Sequence, residues 1–467
     1  MEGRKYKLVL IVAAFVLTYT AQAQHRYEFT AQQAADYARK NNTQVKNALV
    51  GVQIQQQTNK EITAAAYPQV NGNVSTGYNP NVAVQQFPNF IAAATYGVLE
   101  KEGVQNGTGQ SIISPGDFGF IQAAFGSKFN ASYGVSLQQL LFEGQVFVGL
   151  QARKASIDYV NKVVEVTEEN IRANIYKIYY QLAASKAQLQ MLDANIALLQ
   201  KLQNDQRVMF ENGFAEKLDV NRALVQLANV ETQKTKALNS IENGYLGLKV
   251  LMGMPVKDTL VLTDSITYDN IREGVLENLA YRHEDRKEYQ LAQFGKQLRQ
   301  YDIKRYKLTY FPTVALSTSY SRISQSNKYN FFGGASWFPA SAIGLNISVP
   351  IFDGFARSAR IQRARLQLQQ TENEIESLKL GIDRDVDLAL NNYKSALTTL
   401  DNQKKVIDLA QQVYNQAKLK REQGMGTTLE ITSAQSDLQI AQSNYISALY
   451  DAINAKVDFL KGTGKLQ

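Results

Sequence analysis

Two carboxylates hold matching places in this chain. Asp219 lies in the run Gly213-x4-Leu218-Asp219-Val220-x2-Ala223, and Glu430 lies in Gly424-x4-Leu429-Glu430-Ile431-x2-Ala434. A glycine can take the positive φ that ends a helix, so each run reads as a helix-to-helix reversal with an acid early in the returning helix. Two chemistries fit such an acid. Where helices converge at the end of a tube, carboxylates repeated by symmetry make a ring that favours cations and resists tight closure. The local alternative is that Thr427-x-x-Glu430 forms a capping box, while Asp219 in a first helical turn complements the helix dipole. One carboxylate can serve both purposes.

Reaction chemistry finds no comparable pattern. The 467 residues include no cysteine and two histidines, His25 and His283. That removes thiol nucleophiles, disulfides, thiolate metal sites and lipid attachment, and leaves little for any metal. No Gly-rich phosphate loop followed by Lys is present, and Gly424-x-Gly426 lacks the preceding strand that a dinucleotide site needs. The adjacent acids Glu168-Glu169 fall within a helical run and read as a solvated pair. Neither an enzymatic activity nor a cofactor is expected. The net charge of +8 is modest, and Lys and Arg are scattered rather than striped beside aromatics, so nucleic acid is not an expected partner.

The two reversals belong to an internal duplication. Leu141-Phe142-Glu143-Gly144 and Ile351-Phe352-Asp353-Gly354 each close an alternating segment and open a very long helical run. Laying Gly134–Gly144 over Gly344–Gly354 matches Val135, Leu137 and Leu141 with Leu345, Ile347 and Ile351. Upstream, Tyr67-Pro68-x-Val70 corresponds to Phe311-Pro312-x-Val314, at an offset larger by roughly three dozen residues, so the first half carries an insertion between its strands. Two copies point to one pseudo-symmetric body rather than a solenoid.

The helical runs have a seam. Ile375, Leu378, Ile382, Val386, Ala389, Tyr393, Leu397 and Leu400 recur in steps of three and four, as do Leu438, Ala441, Tyr445, Ala448, Ala452, Ala455 and Phe459. Leu238, Ile241, Tyr245, Leu248 and Met252 continue the pattern in the first half. The outgoing helices each have about 70 residues, roughly 100 Å at the usual rise.

Arg4, Lys5 and Lys7 before an apolar run from Leu8 to Leu17, with Ala21-Gln22-Ala23 ahead of Gln24, give residues 1–23 the pattern of a secretory signal peptide. No later segment has the length and apolarity of a spanning helix, so a membrane location requires strands. Four segments alternate suitably, at about 68–78, 132–142, 312–321 and 343–352. Asn71, Asn73, Ser75, Ser136, Gln138, Asn346 and Ser348 fall on the polar side and are the candidate lumen residues, while Gln139 breaks the pattern on the apolar side. A half-buried soluble sandwich alternates equally well. Stretches 79–127 and 322–339 carry Phe87, Phe90, Phe118, Phe120, Phe331, Phe332, Trp337 and Phe338, which suit a headgroup belt and outer loops. Arg299, Lys304, Arg305 and Lys307, with Tyr301 and Tyr306, suit the opposite interface or a solvated helix face.

Four strands cannot close a barrel, and open edges in hydrocarbon leave amides unsatisfied at several kcal/mol each. The missing strands must come from other copies. Two copies give about eight strands with a side-chain-filled interior; three give about twelve and leave a bore.

At this point the residues resemble the TolC-like outer-membrane efflux proteins. The resemblance covers almost the whole chain after residue 23 and rests on the strand, Phe-acid-Gly and long-helix junctions, the Tyr/Phe-Pro-x-Val strand entries and the two hairpin tips. It implies a mainly α fold with a β-barrel part, internally duplicated, with two long coiled-coil hairpins and four transmembrane strands per chain. The first repeat is residues 24–253, with outer loop 79–127 and hairpin 144–253; the second is residues 254–467, with hairpin 354–464. It further implies a homotrimer with a twelve-strand barrel and a twelve-helix periplasmic tunnel. The tunnel tip would engage a periplasmic adaptor (membrane fusion) protein coupled to an inner-membrane transporter, of resistance-nodulation-division or ATP-driven type. Asp219, Glu430 and Ser433 occupy the aperture positions; Gly213, Phe214, Leu218, Gly424, Met425 and Leu429 form the tips where the adaptor docks. Ser433 is not acidic, and Gly426 stands where some members carry a basic latch residue. Expected partners are therefore further copies of the chain, outer-membrane lipid, an adaptor and a pump, in a passive exit duct for drugs, other small molecules or secreted polypeptides. The alternatives are a periplasmic coiled-coil adaptor, which predicts one hairpin with flanking lipoyl-like segments, and an outlet dedicated to type I polypeptide secretion.

Overall fold

The computed structural model describes residues 26–124, 126–265, 268–272 and 280–466. The signal-peptide expectation, residues 1–23, lies outside them. Strand β1 (Arg26–Phe29) leads through helices α1 (Ala31–Asn41) and α2 (Thr43–Ala64) to β2 (Gln69–Tyr78). Short strands β3 (Val84–Pro88) and β4 (Phe120–Ala124) bracket α3 (Phe90–Lys101), and β5 (Phe129–Phe142) enters the hairpin of α4 (Gly144–Glu211) and α5 (Lys217–Met252). A second passage follows: β6 (Thr259–Leu262), α6 (Tyr268–Arg272), α7 (Lys287–Lys307), β7 (Thr313–Ser326), β8 (Phe338–Ser348), then α8 (Ala356–Glu422) and α9 (Thr428–Gly462). The chain forms two units, one of the segments up to Thr58, Ala152–Gln300 and Arg363–Gln467, the other of Asn59–Gln151 and Tyr301–Gln362.

The second unit holds an antiparallel sheet in the order β2-β5-β7-β8. Residues paired across a ladder share a face. Asn71 opposes Ser136, Ser75 opposes Ser132, Gln138 opposes Ser317, and Asn346 opposes Ala315, so all seven candidate lumen residues fall on one polar face. Short side chains there bond across strands, Ser75 Oγ to Ser132 Oγ at 2.7 Å and Asn346 Nδ2 donating to Ser317 Oγ at 3.0 Å. The other face carries Val70 beside Leu137, Val74 beside Tyr133, and Leu316 beside Leu345. Much of this face is uncovered among the described residues: Val74 is 85% exposed and Ile343 82%. Gln139 sits on it but is satisfied at its amide, donating to the carbonyls of Ala66 at 2.9 Å and Leu140 at 2.7 Å. The register shifts between Leu140 and Phe142, a bulge that re-aims the strand end just before α4.

The limits of three strands differ from the sequence reading. β5 begins at Phe129 and β7 continues to Ser326, while β8 starts at Phe338 and leaves 349–352 outside the sheet. Pro350 explains the last, because it has no N–H for the ladder; its carbonyl instead accepts from Arg357 Nη1 at 3.0 Å. The expected loop 79–127 is also a folded insertion, with β3 paired to β4 and α3 capped by Asn89, whose Oδ1 accepts from Ala92 N–H at 3.0 Å.

In the other unit the seam of α8 and α9 forms the core. Ile382, Val386, Tyr393 and Leu400 are buried, as are Leu438, Ala441, Ala448, Ala452 and Phe459. Tyr393 stacks on Phe459 with centroids 6.2 Å apart. Leu248 and Met252 are buried in a second cluster, but Leu238 is exposed. The apolar stripe drifts around α5, so Ala237 rather than Leu238 packs on Leu192, Leu199, Leu202 and Val230. β1 pairs in parallel with β6, and Tyr179 of α4 ties them together. Its hydroxyl donates to Phe29 carbonyl at 2.8 Å and accepts from Thr263 N–H at 3.1 Å and Asp264 N–H at 2.9 Å. Among the described residues no helix is long and apolar enough to cross a membrane.

Hairpin tips as the candidate functional site

Both tips are built by the same backbone device. Gly213 and Gly424 each have φ of 75°, a left-handed value open to glycine. Gly213 N–H donates to Phe210 carbonyl at 3.0 Å and Phe214 N–H to Met209 carbonyl at 2.8 Å. In the second copy Gly424 donates to Arg421 and Met425 to Lys420, both at 2.9 Å. These paired bonds are a Schellman closure, which satisfies the last carbonyls and turns the chain sharply. The residue after each glycine is thrust outward, leaving Phe214 80% exposed and Met425 72%, with Leu218 and Leu429 exposed beside them. Each tip is thus an apolar knob.

The starts of α5 and α9 border one cleft of about 580 Å3, lined by Leu218, Asp219, Arg222, Leu429 and Ser433 among others. Asp219 therefore meets Ser433 across the same space. Its carboxylate lies 3.9 Å from Arg222, one turn along α5. Glu430 is not part of the lining; Thr427 N–H donates to its Oε2 at 3.3 Å, and its own N–H donates to Thr427 Oγ1 at 3.2 Å. That reciprocal pair is the capping box. Asp437 also lines the cleft. It escaped the sequence reading, although it stands one helical turn beyond Ser433 and shares its face.

A cross-tie between α4 and α8 was also unread. Gln206 is fully buried, and its amide oxygen accepts from the Arg421 guanidinium. Arg421 Nη2 also lies 3.6 Å from Met209 Sδ. Gly426 accounts for the missing basic residue at the tip: a Cβ there would sit 3.0 Å from Arg421 N, tight against the end of α8.

Glu169 corrects another expectation. Instead of being solvated, it is 2% exposed, with Oε1 3.8 Å from Lys287 Nζ and no hydrogen-bond partner in the protein for that oxygen. Its place on α4 faces the start of α7 rather than water. Burial raises its pKa, opposed by the Lys287 charge. Among the described residues no group of three or more His, Asp or Glu is placed to hold a metal.

The alternating sheet and paired long hairpins define the class of outer-membrane channel-tunnels. A family model described as Outer membrane efflux protein matches residues 284–465. Outer membrane efflux protein BepC of Brucella suis is 21% identical, over 98% of this chain and 90% of its own. Outer membrane protein TolC of Vibrio cholerae is 19% identical, over 72% of this chain and 77% of its own. A crystal structure of CusC, described in terms of folding and transmembrane channel formation, superposes with a TM-score of 0.72 at 16% identity, covering 93% of this chain and 92% of that one. The second repeat matches the outer membrane efflux protein family, and the fold is TolC-like along nearly all the chain's length. Its location is the outer membrane, and proteins of this kind are channels rather than enzymes.

Proposed function

We propose that this chain is one third of a trimeric duct, a passive exit for cargo delivered by a periplasmic adaptor and an inner-membrane pump. The observation that carries this is the open sheet. β2 and β8 are the two outer strands of the four-stranded order, and each has one edge without a partner strand among the described residues. In hydrocarbon such an edge is untenable, so β8 of one copy pairs with β2 of the next until the wall closes. With three copies the seven residues Asn71, Asn73, Ser75, Ser136, Gln138, Asn346 and Ser348 line the bore. Residues 24–253 and 254–467 then supply equivalent hairpins to a twelve-helix tunnel.

The tips take two roles in this reading. Asp219 and Ser433, facing one cleft, with Glu430 at the neighbouring cap, form the periplasmic aperture. Phe214, Leu218, Met425 and Leu429, held out by the closures at Gly213 and Gly424, dock the adaptor; exposed apolar knobs on a rigid turn suit a protein partner. Relatives named for efflux support a partnership of this general kind. The double variant Phe214→Ser, Met425→Ser is expected to abolish cellular export while leaving the amount and mass of the outer-membrane oligomer unchanged. Full export by that variant would contradict adaptor docking at the tips.

A further inference from the structure

The insertion between β2 and β5 has no counterpart between β7 and β8, which are joined by residues 327–337 alone. It is a small structure of its own, β3 paired with β4 around α3. Its surface is unlike that of a water-facing loop. From 79 to 127 the charged residues are Glu100, Lys101, Glu102 and Asp117, while Val84, Phe90 and Phe120 are exposed.

Topology names what lies beside it. Once β8 of one copy pairs antiparallel with β2 of the next, the end of β2 at Tyr78 and the start of β8 at Phe338 lie at the same rim. The chain leaving β2 is the insertion; the chain entering β8 is the aromatic turn of the neighbouring copy. β3 follows β2 in the chain and pairs with β4, and its other edge has no partner strand among the described residues. The turn offers Phe332, 93% exposed although its ring lies 6.4 Å from that of Tyr329 in an edge contact. Two apolar surfaces, both uncovered in one chain, are thus adjacent by connectivity.

We propose that the insertion is an inter-subunit clasp, receiving the aromatic turn around Phe332 of the next copy at the outer rim. This rests on the oligomeric-duct reading. In a ring the contact is head-to-tail, each copy giving its insertion to one neighbour and its turn to the other. It adds apolar burial to a seam that otherwise depends on backbone pairing of β2 with β8.

The absence of native cysteine makes the test direct. The double variant Val84→Cys, Phe332→Cys, treated in outer membranes with a short bismaleimide, is expected to give covalent dimers and trimers on denaturing gels. Either single variant should remain monomeric. Ladders from the single variants would show like loops meeting at the axis, and monomer alone from the double variant would leave the insertion facing lipid or water; each overturns the clasp. Light scattering of the uncrosslinked protein separates the two readings. A trimer without cross-links removes only the clasp, whereas a single subunit removes the duct as well. Replacing Val84–Ala124 by Asn-Gly should still permit trimers, with a lower dissociation temperature in dodecyl sulfate; an unchanged temperature counts against the clasp.

Discussion

Asp219 and Ser433 face one another across a cleft of about 580 Å3 between the starts of two equivalent helices. The first half brings Asp219 to this cleft and the second brings Ser433 and, one turn further on, Asp437, while Glu430, the acid matching Asp219, caps its own helix. A carboxylate in a wet aperture contributes on the order of 0.5–1 kcal/mol to the passage of a monovalent cation, roughly a two- to five-fold effect. Asp219→Asn is expected to lower the cation-to-anion permeability ratio by about that factor, and Ser433→Asp to raise it. Unchanged reversal potentials in both variants would remove these residues from the aperture.

Capping and charge at Glu430 can be separated chemically. Glutamine also completes a capping box, so Glu430→Gln keeps the helix start while removing the charge. Glu430→Ala removes both and should cost about 0.5–2 kcal/mol. Thermal melts should distinguish alanine from wild type and leave glutamine near it. Selectivity that falls equally in both variants assigns the charge a role in permeation; a loss confined to alanine assigns Glu430 to capping alone.

The glycine closures make a contrasting pair. At Gly213 a Cβ meets nothing within 4 Å, so Gly213→Ala carries only the cost of its φ of 75°, about 1 kcal/mol. At Gly253, with φ of 70°, a Cβ collides with the Asn41 carbonyl and the Asn42 nitrogen as well. Gly253→Ala is expected to destabilise by several times as much, roughly 3 kcal/mol or more. Comparable melting temperatures for the two variants would contradict this geometry.

Much of this architecture was readable from spacing, and the failures have physical causes. The seam from Ile375 to Leu400 emerges because a long helix repeats its burial every three or four residues. The shared polar face of Asn71, Ser136 and Asn346 emerges because a strand alternates every second residue. Glu169 was misread because adjacent acids on a helix look solvated until another element, here the start of α7, covers one. The Gln206–Arg421 tie joins residues far apart in sequence and leaves no periodic signal. The insertion at 79–127 looked like a loop because a short helix between turns has too few repeats to show a period.

Tyr179 and Tyr393 should lose similar amounts under the same substitution. Thr263 N–H also donates to the Phe29 carbonyl at 3.1 Å, so Tyr179→Phe leaves the Asp264 N–H as the group that loses its partner, with an expected loss of about 1–2 kcal/mol. Tyr393→Phe removes the hydroxyl that donates to the Ile271 carbonyl at 2.7 Å, with an expected loss of about 1–2 kcal/mol. Chemical denaturation measures both, and no loss in either variant would count against these buried hydrogen bonds.

Glu169 sets a pH dependence of unusual sign. Burial, opposed by the Lys287 charge, raises its pKa above the ordinary value of 4.5. The folded carboxyl thus holds its proton to higher pH than the unfolded one. Its contribution is fully present below the unfolded pKa and declines as pH rises through the folded value. Glu169→Gln should accordingly be more stable than wild type at neutral pH, with the difference shrinking towards pH 4.5. A variant less stable at neutral pH would show that the Lys287 pairing outweighs desolvation.

The central claim is that one chain supplies a third of a closed wall. It is tested most directly by measuring the mass of the purified detergent-solubilised protein and the conductance of the same sample in planar bilayers. The account predicts a particle of three chains that opens discrete ion-conducting pores. A folded, monodisperse single chain that leaves the bilayer silent would contradict it.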